Sequence, residues 1–248
     1  MADPIDYARA DDASGAAAHP LRWTPAWRAV VFCLSASSIW CLLSDFYHVM
    51  SMRAFALSVM LPSTAVLVGL AVWDKVLGGR TLWRVVLIGA AAGLVAAVAY
   101  DVFRLPFVFA REWGISHVVP PLNLYRVFPR FGAMLLGNPL GERAYSPAEQ
   151  VLGWAYHFSN GLTFGVMYLS LIGDGRRRSW LWAVVFAVGL ELAMLYTPYP
   201  SVYGIKVTAA FVAATMAAHA IFGVVMGLVT RRMSRQWQPS AGGVALAT

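Results

Sequence analysis

Long uncharged apolar runs alternate with short polar connections along most of this chain. The runs fall at about residues 26–47, 52–73, 82–103, 147–172, 180–196 and 205–229. A bilayer core takes about 20 helical residues to cross, so the pattern predicts an all-α, polytopic membrane bundle of six transmembrane helices over residues 24–232. Start signals support the register. Thr24-Pro25 offers an N-cap followed by proline at the first helical position. Ser146-Pro147-Ala148-Glu149 combines a capping box with the same proline. Pro62 falls inside the second run and predicts a kink.

Residues 105–146 break the pattern. They are proline-rich, with arginines among aromatics, and predict an outer loop. The apolar stretch at 131–137 is too short to span and reads as a re-entrant or interfacial segment. Residues 1–23 and 233–248 have no apolar period and read as disordered or flexible cytoplasmic tails.

Composition agrees with this picture. Of 248 residues, 59% are hydrophobic and only 12% charged, which separates the chain from ordinary soluble domains. The net charge of +7 therefore reports orientation first, and no nucleic-acid motif accompanies it. Arg22, Arg28, Lys75, Arg80, Arg84, Arg176, Arg177, Arg178, Arg231, Arg232 and Arg235 fall on one side of the six-span topology. That bias predicts both termini in the cytoplasm and a bacterial inner-membrane location. The five arginines at 104, 111, 126, 130 and 143 dilute it. The two cysteines, Cys33 and Cys41, lie about 12 Å apart along one helix, too far for a disulfide.

Two segments share the pattern H-x-x-x-G-x-x-x-G. One is His157-Gly161-Gly165 and the other His219-Gly223-Gly227. Positions four apart share a helix face, so each histidine tops a glycine strip. A third strip is Gly89-Gly93. Strips of this kind let helix backbones approach closely in lipid, and helix packing is the role expected for all six glycines.

The remaining polar positions supply the candidate chemistry. In the six-span topology, Asp45, His48, Asp101, Arg104, His157, Asn160, Glu191 and His219 all fall in the outer half of the membrane. An ionisable side chain at the bilayer centre costs roughly 2.5–3.5 kcal/mol on insertion scales, and is tolerated where it faces an interior with partners. His157, Glu191 and His219 are therefore expected to form one catalytic or binding site, with Asp45, His48, Asp101, Arg104 and Asn160 as supporting polar groups. The same three residues admit a divalent metal as ligands, although neither HExxH nor a Glu-x-x-His pair is present. Haem held by His157 and His219 is disfavoured by a depth difference of roughly 7 Å. The leading reading is an intramembrane site acting on a small-molecule or lipid substrate. A proton- or cation-coupled carrier and a structural membrane protein without catalysis are the alternatives. No GxSxG or GxxxxGK[ST] motif occurs.

Overall fold

The computed structural model describes residues 23–141 and 143–236. The expectations for the two tails fall mainly outside these residues. Among the described residues every regular element is helical. The elements are α1 (Pro25–Phe46), α2 (Met52–Leu77), α3 (Thr81–Val108), α4 (Val127–Leu136), α5 (Pro147–Ile172), α6 (Leu181–Leu195), the one-turn α7 (Tyr199–Val202) and α8 (Ala209–Gln236). Four of them, α1, α2, α3 and α8, are long and apolar enough to cross a membrane. Helix α6, at 15 residues, reaches only about 22 Å. Helix α5 has 26 residues, but Glu149, Gln150, His157 and Asn160 lower its apolar content. The outward faces suit a membrane-embedded protein. On α2, Leu57, Leu61, Val66, Val68, Val72 and Val76 are all exposed, a continuous apolar surface of the kind that lipid covers.

Local sequence explains the helix ends. The Thr24 hydroxyl accepts a hydrogen bond from Trp27 N, with Pro25 at the first position. The Ser146–Glu149 capping box is formed in both directions. Ahead of Pro62, residues Ala56–Met60 adopt a π-helical turn. The wider turn makes room for the ring and the missing N–H, so α2 runs on through the proline. The start of α3 is capped from the preceding helix. Asp74 is fully buried, and its Oδ2 accepts from Leu82 N at 2.7 Å and Trp83 N at 3.2 Å. Four helix ends differ from the sequence reading by four residues or more. Helix α2 ends at Leu77 rather than 73, α3 continues five residues past 103 through Pro106, α8 begins at Ala209 rather than 205, and its end at Gln236 lies inside the expected tail.

Helix α5 lies at the centre, packed against α1, α3 and α4. Its contact with α3 is a backbone seam. A Cβ placed on Gly93 would stand 2.0 Å from the Gly161 carbonyl oxygen, and one on Gly165 would stand 1.9 Å from that of Gly89. Gly223 and Gly227 lie against α6 and the residue before it. Cβ atoms there would meet the carbonyls of Ala183 and Trp180, each at 2.7 Å. Helix α4 is buried along most of its length and joins α5 through Gly132 and Gly153. The segment read as re-entrant or interfacial thus packs on the helix that carries His157. Helix α6 packs chiefly on α8 and not closely on α1, which leaves a gap between α1 and α6.

Candidate functional site

A cavity of about 340 Å³ lies between these helices. Its walls are mainly aliphatic and aromatic, supplied by α1, α4, α5 and α6 and including Ile39, Phe131, Phe164 and Leu190. Eight polar or ionisable side chains join them: Tyr100, Arg104, His157, Asn160, Glu191, Thr197, Tyr199 and His219. Packing explains why these gather. The glycine seams bring α3 against α5 and α6 against α8, and the polar residues sit one to two turns beyond each seam. A separation near the van der Waals limit fixes each helix's rotation, and so fixes which side chains look inward.

The ionisable groups form two acid–imidazole pairs. His157 Nε2 lies 2.8 Å from Asp101 Oδ2. Asp101 Oδ1 faces Arg104 Nη1 at 3.4 Å, and the Tyr125 hydroxyl donates to the Asp101 carbonyl at 2.6 Å. Arg104 also donates to the Leu124 carbonyl, and its guanidinium lies 4.7 Å from the Tyr100 ring centroid, a cation–π distance. In the second pair His219 Nε2 lies 3.5 Å from Glu191 Oε2. The Thr215 hydroxyl donates to Glu191 Oε1. His219 Nδ1 is 3.0 Å from the Thr215 carbonyl, a contact that places the proton on Nδ1 and turns Nε2 toward the carboxylate. Tyr100 stands between the pairs, its ring 4.9 Å from His219 and 6.0 Å from His157. All four acid and base groups are buried or nearly so, where each needs its partner.

An aromatic cluster holds His157. Phe128 of α4 faces its ring at 4.3 Å between centroids, with Trp154 and Phe158 at 5.9 and 5.2 Å. Tyr100, Arg104, Glu191 and Tyr199 also line a second, more polar cavity of about 200 Å³. It is bordered by Arg126, Lys206 and the loop at Pro121–Asn123. The same four side chains thus form the wall between an apolar chamber and a polar vestibule. Burial pushes the Tyr125 phenol at this edge up to about 12, with the Asp101 carboxylate adding to it.

Of the residues singled out in the sequence, His157, Asn160, Glu191, His219 and Arg104 line one cavity, and Asp101 is bonded to two of them. Asp45 and His48 are not brought there. Asp45 Oδ2 accepts from Met52 N at 2.6 Å and so caps α2, while His48 is an exposed turn residue with φ 55°. His157 and Glu191 each have their own partner. Among the described residues no three His, Cys, Asp or Glu side chains are grouped as ligands for a metal ion. Tyr100, Thr215 and Tyr199 were not legible as site residues, because tyrosine and threonine are common in apolar helices and only contact gives them a role. The chain matches no protein-family model, no curated protein and no solved structure.

Proposed function

We propose that the protein crosses the membrane six times with both termini cytoplasmic. The cavity beside Glu191 and His219 binds a small amphipathic molecule taken from the lipid phase. The observation that carries this reading is the cavity itself. An apolar chamber of about 340 Å³ ends at Arg104, His157, Glu191 and His219, and few, convergent polar groups on an apolar wall are the usual form of a ligand site. The space between α1 and α6 supplies a lateral path. The six-span topology is supported by the gathering of helix ends. The starts of α1 and α3 and the ends of α5 and α8 line one common pocket, as up-and-down alternation requires.

The chemistry at the polar end is proton exchange. Two imidazoles, one hydrogen-bonded to a carboxylate and one facing one, offer ring nitrogens that can pass a proton on. The vestibule behind Glu191 and Tyr100 gives the proton a route to the outer side. A proton-coupled carrier uses the same parts, and the shared wall of the two cavities favours it as the second reading. A metal-dependent version of the site is not favoured, because His157 is held by Asp101 while Glu191 and His219 face each other.

Photolabelling tests the binding reading. A diazirine-bearing alkylphenol added to the membrane-embedded protein should label peptides from the inner faces of α1 and α6, including Ile39 and Leu190. Labelling confined to the exposed face of α2 would contradict it. Reporter fusions after residues 78, 140, 175 and 202 test the topology, with 78 and 175 expected inside and 140 and 202 outside.

A further inference from the structure

A second cavity lies at the opposite end of the bundle and takes no part in the chemistry above. It encloses about 730 Å³ between the starts of α1 and α3, the end of α5, the loop at 173–178 and the end of α8. Five arginines border it, Arg28, Arg84, Arg176, Arg177 and Arg178, against one carboxylate, Asp174. Arg28 is engaged with protein, donating to the carbonyls of Ser170 and Leu171 at the end of α5. Arg176 and Arg177 lie 2.9 and 3.5 Å from Asp174. The Arg84 and Arg178 side chains make no hydrogen bond or ion pair among the described residues, although Arg84 is partly buried. Trp23 adds a second unmet demand, since its indole Nε1 is buried and has no hydrogen-bond partner. Behind the arginines the wall is apolar, formed by Val85, Ile88, Leu169 and Ile172.

We infer that this cavity holds the phosphate group of an anionic membrane lipid, with an acyl chain against the apolar wall. The charge excess calls for an anion. The fork geometry of Arg84 and Arg178 suits phosphate oxygens. The apolar wall distinguishes a lipid from free phosphate, which gains nothing from Ile88 or Leu169. In the proposed topology this end faces the cytoplasm, where anionic lipids draw basic clusters at helix ends. The occupant would tie the start of α3 to the 173–178 loop that follows α5, because its phosphate meets Arg84 and Arg178.

The test compares thermal unfolding in nanodiscs of phosphatidylcholine alone with nanodiscs containing phosphatidylglycerol. A third arm adds inorganic phosphate to the phosphatidylcholine discs. Wild type should melt higher with phosphatidylglycerol, and inorganic phosphate should not reproduce the shift. Arg84→Gln and Arg178→Gln should each lose at least half of it while keeping the wild-type melting point in phosphatidylcholine. Asp174→Asn, which keeps the acceptor for Arg176 N but removes the opposing charge, should enlarge the shift. An equal shift in wild type and both arginine variants would mean a general surface effect and overturn the proposal. A full shift with inorganic phosphate would assign the site to free phosphate and overturn the lipid. The ligand of the cavity beside Glu191 and His219 plays no part in any arm.

Discussion

The seam between α3 and α5 makes a quantitative prediction about Gly93. An alanine Cβ there would sit 2.0 Å from the Gly161 carbonyl oxygen and 2.9 Å from its carbon, where ordinary contacts begin at 3.4 Å. The difference, 3.4 − 2.0 Å, means that the backbones must separate by about 1.4 Å along that line. Overpacking of this kind costs about 1–3 kcal/mol. Alanine recovers about 1 kcal/mol of helix propensity over glycine, so the strain exceeds the gain over most of that range. For a chain of this size the net loss, at most about 2 kcal/mol, corresponds to a fall of up to about 8 °C in melting temperature. The assay is thermal unfolding in detergent, followed by tryptophan fluorescence. Gly69→Ala is the internal control. It lies in α2, and a Cβ there meets nothing within 4 Å, so it should be neutral or slightly stabilising. Gly93→Ala and Gly165→Ala share one seam and should combine non-additively. Equal melting of Gly93→Ala and Gly69→Ala would refute the close-packed seam.

Other consequences follow from single contacts. Asp74→Ala removes the acceptor for Leu82 N and Trp83 N and should cost about 1–2 kcal/mol by the usual worth of an N-cap. Asp74→Asn should retain most of it, and equal melting of the two variants would remove the cap from the account. Asp101→Ala leaves His157 Nε2 and Arg104 without their shared carboxylate and should lower the melting temperature, because breaking a buried pair leaves the other group uncompensated. A wild-type melting point would remove the pairing. In the 173–178 loop, the hydrogen bond from the Arg176 side chain first, helped by its backbone N–H and by the charges of Arg176 and Arg177, outweighs burial and holds the Asp174 carboxyl below its ordinary range. Because the folded value is depressed, the pair's small contribution persists at neutral pH and is lost only as pH falls through that lowered value. A loop transition at or above about pH 3.9, the unperturbed value, would contradict the pairing.

Much of the fold could be read from local chemistry. Thr24, Pro25, Ser146, Pro147 and Glu149 fix two helix starts through caps that involve only adjacent residues. The apolar runs give the helices themselves, because their signal is summed over many positions. The number of spans is harder. Helix α6 is short, α5 is polar, and whether such helices cross depends on neighbours that shield them rather than on their own hydropathy. The site was legible as a depth but not as a set of contacts. A shared place in the outer half of the membrane groups His157, Glu191 and His219, yet it carries no information about helix rotation. That rotation is set by the glycine seams, and it gives His157 to Asp101 and His219 to Glu191. For the same reason Asp45, at the same depth, turns away and caps α2. Asp74 was overlooked because its value lies in two backbone N–H groups beyond a turn, which the pattern of side chains does not display.

The central claim is that the chamber ending at Glu191 and His219 is a binding site and not a packing defect. Native mass spectrometry of the protein released from mild detergent tests it most directly, with wild type beside Leu190→Trp. Leu190 lies on the cavity wall and is partly exposed, so an indole there fills the chamber without displacing the core. The account predicts an extractable small molecule on wild type. That molecule should be absent from Leu190→Trp, whose melting temperature stays at the wild-type value in its absence. Wild type that carries no such mass from native membranes, or Leu190→Trp that retains it in full, would contradict the account.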